Sequence, residues 1–414
     1  VIDRTWETKP LWSLVSEVRR VVDPECMSDP VIHYSIPSLD STGGGSEESP
    51  DDIRSSKLRL RGGEVLISKL NPRKSRVTVA ARSAGQDVVA STEFVAMLPS
   101  IRVHARYLMY VLLAENVRQE LDSMVQSVTR SHQRVSPEQI LRLKVALPPF
   151  EEQWRIVNFL DSATSRIDRQ IEIGRRQIAL LGERLHAKAA EATGRVTIRG
   201  SVVAGEWTPL QLRRVVEVIT TGATPQGGAE GVWAEEDPAA IPWYTPSEMD
   251  DWMQLAPAMR YVPRDGRGEA KTTFRAGSVV LVCIGESIGK VTFLDHAATG
   301  NQQLTAIRPN SLIDGRFLAW QLWGAAGEIR DTSPFTRVRI INGSDLLAFP
   351  IMLPSRERQV EIRRALDAEK SRTMVGRDKI ARFAAGLTER RQALITAAVT
   401  GQIDVTTARG VGVS

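Results

Sequence analysis

The sequence predicts an α/β (α+β) protein: two globular domains separated by two long helices that form an antiparallel coiled coil, with pseudo-two-fold symmetry. Three observations predict it. Leu147-Pro148-Pro149-Phe150-Glu151-Glu152-Gln153 opens a long charged helical stretch ending at Thr193-Gly194, and Leu353-Pro354-Ser355-Arg356-Glu357-Arg358-Gln359 opens another, ending at Thr400-Gly401. Trp6 and Trp207 each start a segment that leads into one of these stretches. Within the first stretch the apolar residues fall at alternating spacings of three and four, the mark of a helical seam. A globular segment plus a long helix, repeated once, is a tandem architecture, and repeats govern how everything local is read.

In chain order, residues 1–147 form the first domain. Ser38-Leu39-Asp40-Ser41-Thr42-Gly43-Gly44-Gly45-Ser46 reads as a flexible loop by composition. Glu64–Lys69 and Arg76–Ala80 read as two strands joined by the turn Leu70–Ser75, and Tyr107–Met124 carries helical spacing. Residues 148–204 are the central spacer. Its seam is Val157, Leu160, Thr164, Ile167, Ile171, Gly174, Ile178, Leu181 and Leu185, started by Pro148-Pro149 and stopped by Gly194. About 40 helical residues at 1.5 Å each give a rod of roughly 60 Å. Residues 205–350 form the second domain, and 351–414 the distal spacer and tail. The second seam has Leu366, Thr373, Ile380, Leu387 and Leu394 at one position and Phe383 at the other, but Glu369, Gly376 and Arg390 interrupt it. Such interruptions suit a place where the helices meet something other than each other. An antiparallel pair of such rods would space the domains by one to two DNA turns of about 34–36 Å.

The chain has 414 residues, room for two or three cores. No run of about 18 apolar residues is present to span a membrane, and the first residues lack a signal-peptide pattern, so a cytoplasmic protein of a bacterium or archaeon is expected. Cys26 and Cys283 are too few for a disulfide framework, and Cys283, in the apolar run Val279–Ile284, reads as a buried residue. The net charge is +5, and of 54 basic residues only 10 are Lys. A GC-rich genome explains that bias by itself. Arginine is also the side chain best suited to bidentate contacts with guanine and phosphate, so nucleic-acid binding is permitted.

No catalytic constellation emerges. There is no glycine-rich Walker loop. His33, His104, His132, His186 and His296 lack metal-ligand spacing, and two cysteines cannot build a zinc site. Asn71-Pro72-Arg73-Lys74 lacks the second proline and the aromatic of an amino-group methyltransferase motif. Glu269-Ala270-Lys271, with Asp250 or Asp251 upstream, has the form of a nuclease triplet but lies in a turn-rich polar stretch. The expectation is a protein without catalytic or metal-ligating residues, which binds and positions.

With both helices and both globular segments in view, the chain resembles the specificity (S) subunit of type I restriction-modification enzymes. The start Leu147–Gln153 is similar to that family's central spacer, and Glu389-Arg-Arg-Gln-Ala-Leu-Ile-Thr-Ala-Ala-Val-Thr-Gly-Gln-Ile-Asp404 to its distal spacer end. Thr221-Gly222-Ala223-Thr224-Pro225, Trp233 and Ile241–Ser247 resemble the opening of a target recognition domain. Cys283–Val291 and Asn301-Gln302-Gln303 continue the match, and Gly63–Arg73 resembles the corresponding hairpin of another subtype. Ser355 and Arg356 depart from the pattern set by Pro149 and Phe150. The resemblance implies a DNA-reading subunit with no cofactor of its own. S-adenosylmethionine, ATP and Mg are expected on its partners, two methyltransferase subunits and two motor-nuclease restriction subunits. The double-stranded DNA target is expected to be asymmetric and interrupted, one half per domain. The resemblance further implies partner contacts at the helix starts, at Glu152, Gln153, Glu357 and Gln359.

DNA contacts are expected where cations crowd turns, since phosphate contacts position and base contacts specify. In the first domain these are Lys69, Asn71, Arg73, Lys74 and Arg76 on the hairpin, with His132 and Arg134 as a second group. In the second domain Ser287 and Lys290 lie on the matching hairpin, and Arg337 and Arg339 match the Arg134 region by distance from the spacer. Thr224, Asn301 and Gln302 offer a hydroxyl and amides. Charged turns are often merely solvated, and amides often cap turns. Trp233 and Trp243 read as packing residues. Two other readings stand beside this one: a recognition subunit of a related type II-like modification system, and a coiled-coil adaptor that binds proteins rather than DNA.

Overall fold

A computed structural model describes residues 6–83, 85–125, 133–195, 207–225, 240–263, 273–332 and 339–405. The chain divides into two units, Val1–Gly174 with Arg382–Ser414, and Arg175–Ala381.

In the first unit the chain runs through strands β1 (Glu7–Pro10), β2 (Val15–Glu17), β3 (Val21–Val22) and β4 (Val31–Tyr34) to helix α1 (Ile36–Thr42). It continues through β5 (Ser46–Glu48), β6 (Lys57–Leu60), β7 (Val65–Ser68), β8 (Val77–Val79), β9 (Val88–Ala90) and β10 (Phe94–Pro99). Helices α2 (Ala105–Leu113), α3 (Glu115–Ser123) and α4 (Pro137–Arg142) follow, and β11 (Lys144–Leu147) leads into the long helix α5 (Phe150–Ala192). The strands make a four-stranded sheet ordered β2-β10-β7-β8 and a five-stranded sheet ordered β3-β6-β9-β4-β5, while β1 pairs with β11 to close the domain.

Strand β7 is buried on both faces, and its side chains alternate. Val65 and Ile67 join the core with Leu108, Val111, Ile156 and Leu160, whereas Leu66 joins a second core with Tyr34, Leu60 and Ala90. A strand with period two between two apolar layers reads as a continuous hydrophobic run, as Val-Leu-Ile does here.

The second unit repeats this plan. Its elements are β12 (Thr208–Gln211), β13 (Val216–Thr221), β14 (Ile241–Tyr244), β15 (Arg260–Val262), β16 (Val279–Val282), β17 (Val291–Phe293), β18 (Thr299–Gly300) and β19 (Leu304–Pro309). Helices α6 (Gly315–Gly324), α7 (Ala326–Asp331) and α8 (Gly343–Ala348), strand β20 (Pro350–Leu353) and helix α9 (Arg356–Val399) complete it. The main sheet is ordered β13-β19-β16-β17, the same topology as in the first unit. β12 pairs with β20, which extends past the border expected at residue 350. Val279 and Leu281 face one core with Phe317 and Leu318, and Val280 and Val282 face the other with Tyr244 and Phe274. The second sheet differs, having three described strands, β15-β14-β18.

Helices α5 and α9 each run through both units, and they pack antiparallel within each. In the first unit Ile167 and Ile171 pack with Leu387 and Leu394, and Arg391 pairs with Asp168 at 2.8 Å. In the second, Lys188 pairs with Glu369 and Gly376 lies against Leu181. The expected seam of α5 is buried at Val157, Leu160, Thr164, Ile167, Ile171, Gly174 and Leu185, and half-buried at Ile178 and Leu181. Phe383 is a correction: it is 61% exposed, while Ile395, Ala398 and Val399 carry the buried end of α9. A heptad count placed it in the seam; the glycine and charged positions of α9 break that phase. The interruption has a visible cause in the second unit. The loop after β14 lies on the helix pair there, with Trp252 against Gly182 and the Arg377 guanidinium 5.4 Å from the Trp252 ring centre.

The loop expected at residues 38–46 is also corrected. Ser38–Thr42 lies in α1, whose start is a capping box between Ser35 and Ser38 and whose end is Gly43 at φ +74°. Serine-rich composition signalled turn chemistry, and here that chemistry caps a helix.

Candidate nucleic-acid interface

In the first unit the tip between β7 and β8 is held from several sides. Leu70 bridges antiparallel to Arg134, the Asn71 N–H donates to the Gln133 carbonyl at 2.8 Å, and the Lys74 N–H donates back to the Asn71 carbonyl at 3.0 Å. Asn71 has φ +52°, a left-handed turn that asparagine tolerates. Thus the two basic groups expected from the sequence, the hairpin and the Arg134 region, meet at one place. His132 lies outside the described residues.

The cations at this tip differ in their freedom. Arg76 is clamped by Asp40 of α1, which accepts from Nε at 2.7 Å and from Nη2 at 2.9 Å, and only 10% of the Arg76 side chain is exposed. The guanidinium holds the Asp40 carboxyl below the usual carboxylate range. Arg76 therefore fastens the hairpin to α1, with its Nε and one Nη2 proton both given to Asp40. Arg73 gives Nε to Asp122 at 2.9 Å and Arg134 gives Nη2 to Glu93 at 2.8 Å, with 55% and 59% of their side chains exposed. Lys74 is exposed and Lys69 half-buried.

The corresponding tip of the second unit has the same backbone and different chemistry. Ile284 bridges to Ile340 and the Gly285 N–H donates to the Arg339 carbonyl at 3.0 Å, with Gly285 at φ +94° in the place of Asn71. Lys290 donates to the Met249 carbonyl at 2.9 Å, so it ties the hairpin to the loop after β14. Ser287 is half-buried. Beside the tip, the Thr224 hydroxyl donates to the Gln302 side-chain oxygen at 2.9 Å, and both residues are exposed. Asn301 is half-buried, its amide donating to Gln303 at 2.7 Å while its oxygen accepts the Gln303 N–H at 3.1 Å, and so it shapes the loop. Gly222 packs so close to the carbonyls of Gly300 and Asn301 that any Cβ would collide at 2.3 Å. Trp243 is buried, its ring N–H donating to the Ala223 carbonyl at 3.3 Å. Arg339 is half-buried and its Nη1 lies 3.4 Å from the Arg330 carbonyl. Arg337 and Trp233 lie outside the described residues.

The helix starts contain a second repeated device. Gln153 and Gln359, expected at partner contacts, are 0% and 1% exposed. The Gln153 side chain accepts the His104 N–H at 2.8 Å and donates to the carbonyls of Arg102 and Pro148, each at 3.0 Å. The Gln359 side chain accepts the Asp314 N–H at 2.7 Å and donates to the carbonyls of Leu312 and Pro354, at 3.1 and 3.0 Å. Each amide ties the helix start to the loop before α2 or α6, because buried backbone groups need partners and a glutamine supplies both kinds. Glu152 is also buried, with an oxygen 3.2 Å from Arg155 Nη1, and Glu357 is exposed.

Two further pairs were missed. Tyr110 donates to Asp161 at 2.6 Å, and the Trp320 ring N–H donates to Asp367 at 2.9 Å. Asp161 and Asp367 each stand eight residues after the buried glutamine, so an alignment of the two halves contains the signal. Trp6 packs on Gly401 and Trp207 on Gly194, both glycines at positive φ just beyond a long helix. Cys283 is buried as expected, its thiol pushed up to about 11 by burial. Among the described residues no group of three or more His, Cys, Asp or Glu is placed to hold a metal, and no helix is long and apolar enough to cross a membrane.

Residues 204–374 match the family model for the type I restriction modification DNA specificity domain. The chain is similar in fold to a chain in a structure describing complex assembly and conformational transition of the type I R-M system. That likeness has a TM-score of 0.64 at 19% identity and covers 96% of this chain and 98% of the other. It also matches the HsdS subunit from Thermoanaerobacter tengcongensis, with a TM-score of 0.41 at 19% identity over 97% and 98% of the two chains. A third match is the type I restriction-modification S subunit from M. genitalium, with a TM-score of 0.36 at 12% identity over 96% and 97%. The likeness of fold is carried by the first of these.

Proposed function

We propose that this chain, which through residues 204–374 belongs to the type I restriction modification DNA specificity family, reads a bipartite, asymmetric DNA target. Each unit takes one half, and neither carries out chemistry. The observation that supports this is the repeat itself: one main-sheet topology and one set of helix-start contacts occur in both units, while the tips differ in their charged contacts. Like scaffolds with unlike tips suit a target whose halves are unlike, since bases are read by side chains and the backbone merely places them.

The long helices are the surfaces offered to methyltransferase subunits, which supply S-adenosylmethionine, and to restriction subunits, which supply ATP and Mg. Two copies of each are proposed. The exposed Glu357, rather than the buried glutamines, is the residue of that set available to a partner. In this reading residues 1–147 and 205–350 are the recognition domains, and helix length sets the gap between half-sites.

The test is co-expression with the neighbouring methyltransferase, followed by long-read mapping of methylated adenines. A split motif is expected, and replacing residues 1–147 with another first domain is expected to change one half of it. A motif altered in both halves, or in neither, contradicts the modular reading. Absence of any methylation or DNA retention by the assembled complex contradicts the DNA-reading function itself.

A further inference from the structure

We propose that Arg73 reads a guanine in the half-site bound by the first domain, and that Asp122 is the residue that positions it. This rests on the DNA-reading role proposed for the tip and goes further, by separating one arginine from its neighbours.

Three arginines surround the tip, and each is held differently. Asp40 takes Nε and Nη2 of Arg76, whose Nη1 lies 3.4 Å from the Leu70 carbonyl, and only 10% of that side chain is exposed, so it is held and largely covered. Glu93 takes one proton of Nη2 of Arg134, which occupies one of the two donor edges that this nitrogen belongs to. Asp122 takes only Nε of Arg73. Its Nη1 and Nη2 have no partner among the described residues, and they form the end-on pair whose parallel N–H groups match guanine O6 and N7.

Holding an arginine by Nε leaves that pair intact and limits rotation about the outer side-chain bonds. The Arg73–Asp122 contact is exposed and adds little to stability, so its effect is to orient. The base beneath it is stiff: Pro72 is buried, Asn71 is bonded to Gln133, and the Ser68 N–H donates to the Arg76 carbonyl at 3.0 Å. A rigid base with an oriented donor pair is what base discrimination requires, because misplacement by an ångström loses it. The second unit has no arginine in the corresponding stretch Ile284–Lys290, so this reading device belongs to one half of the target.

The decisive variant is Arg73→Lys, which keeps the charge and loses the planar fork. It is co-expressed with the methyltransferase and the methylated motif is mapped beside that of the wild type, with the domain exchange identifying the first domain's half. The expected result is a G·C pair in that half at which Arg73→Lys relaxes discrimination roughly 10- to 100-fold. The rest of the motif stays intact, which also shows that the subunit is folded. Asp122→Ala is expected to relax the same pair more weakly. Wild-type selectivity and rate in Arg73→Lys would mean that charge alone suffices; Arg73 would then be a phosphate anchor, overturning the inference while the tip reading stands. A first half-site without a G·C pair overturns it outright. If Arg73→Ala and Lys74→Ala both leave methylation and DNA retention unchanged, the tip does not touch DNA, and the inference falls with that reading.

Discussion

Replacing Gln153 by leucine tests whether the helix starts are structural joints. Leucine has nearly the shape of glutamine, so packing is retained while the amide is lost. The His104 N–H then loses its acceptor, and the carbonyls of Arg102 and Pro148 lose their donor, all at a position with 0% exposure. A buried group left without a partner costs about 1–3 kcal/mol. Three such groups set a range of about 3–9 kcal/mol, and partial relaxation toward solvent places the expected loss near its lower end, about 3–5 kcal/mol. That is a large share of the roughly 5–15 kcal/mol that holds an ordinary domain together. Because the chain has two units, amide hydrogen exchange is the better readout than a single melting temperature. Faster exchange is expected at His104 and through α2 and β11, with the second unit unaffected. Gln359→Leu is expected to do the same to α6 and β20, through the Asp314 N–H and the carbonyls of Leu312 and Pro354. A Gln153→Leu protein with native exchange at His104 that nonetheless fails to hold the methyltransferase would refute this reasoning and return Gln153 to the partner surface.

Gly194→Ala is expected to cost about 1–2 kcal/mol from its left-handed backbone alone, and more because its Cβ would meet the Trp207 ring at 3.1 Å; an unchanged urea midpoint contradicts this. Lys74→Ala is expected to weaken binding to all sequences and lower the slope of log affinity against log salt by about one, and an unaltered slope in filter binding removes Lys74 from the phosphate contacts. Asp40 is expected to titrate below the unperturbed value of about 3.9, because the Arg76 guanidinium favours its charged form. The pairing is thus fully present above that value and is lost as pH falls through the lower folded one; carbon NMR of the Asp40 carboxyl showing titration at or above 3.9 rules the clamp out.

What could be read in advance follows from which interactions are periodic. The α5 seam from Val157 to Leu185 was legible because burial repeats every three or four residues along a helix, and the β7–β8 hairpin because Val-Leu-Ile and Val-Thr-Val flank an Asn-Pro turn. Phe383 was misplaced because α9 carries glycine and charge at the positions that fix phase, and hydrophobicity alone cannot say which way a helix faces there. The cation cluster was legible as a cluster. Its sorting was not: Arg76 and Arg73 stand three residues apart and look alike, yet Asp40 holds one by Nε and Nη2 and Asp122 takes only Nε of the other. Those acids come from α1 and α3, and no local pattern announces such a meeting. Asp40 was further concealed by the serine and glycine around it, which read as a loop.

The buried joints and the exposed tips obey different constraints, and that difference accounts for where the two units agree. At a helix start, a glutamine amide must serve one N–H and two carbonyls cut off from water, and few side chains offer both an acceptor and two donors of that reach. Gln153 and Gln359 therefore do the same work, as do the acceptors Asp161 and Asp367 and the ring contacts of Trp6 and Trp207. At the tips the backbone needs only a left-handed turn and a bridge to a neighbouring strand, which Asn71 and Gly285 both provide. Arg73 and Lys74 on one tip and Glu286 on the other face solvent, where changing a side chain costs little stability. A recognition surface can then be rewritten without disturbing the scaffold that presents it. The clamp of Arg76 by Asp40 and the tie of Lys290 to Met249 are the two solutions this chain uses to steady a tip whose remaining residues are free to differ.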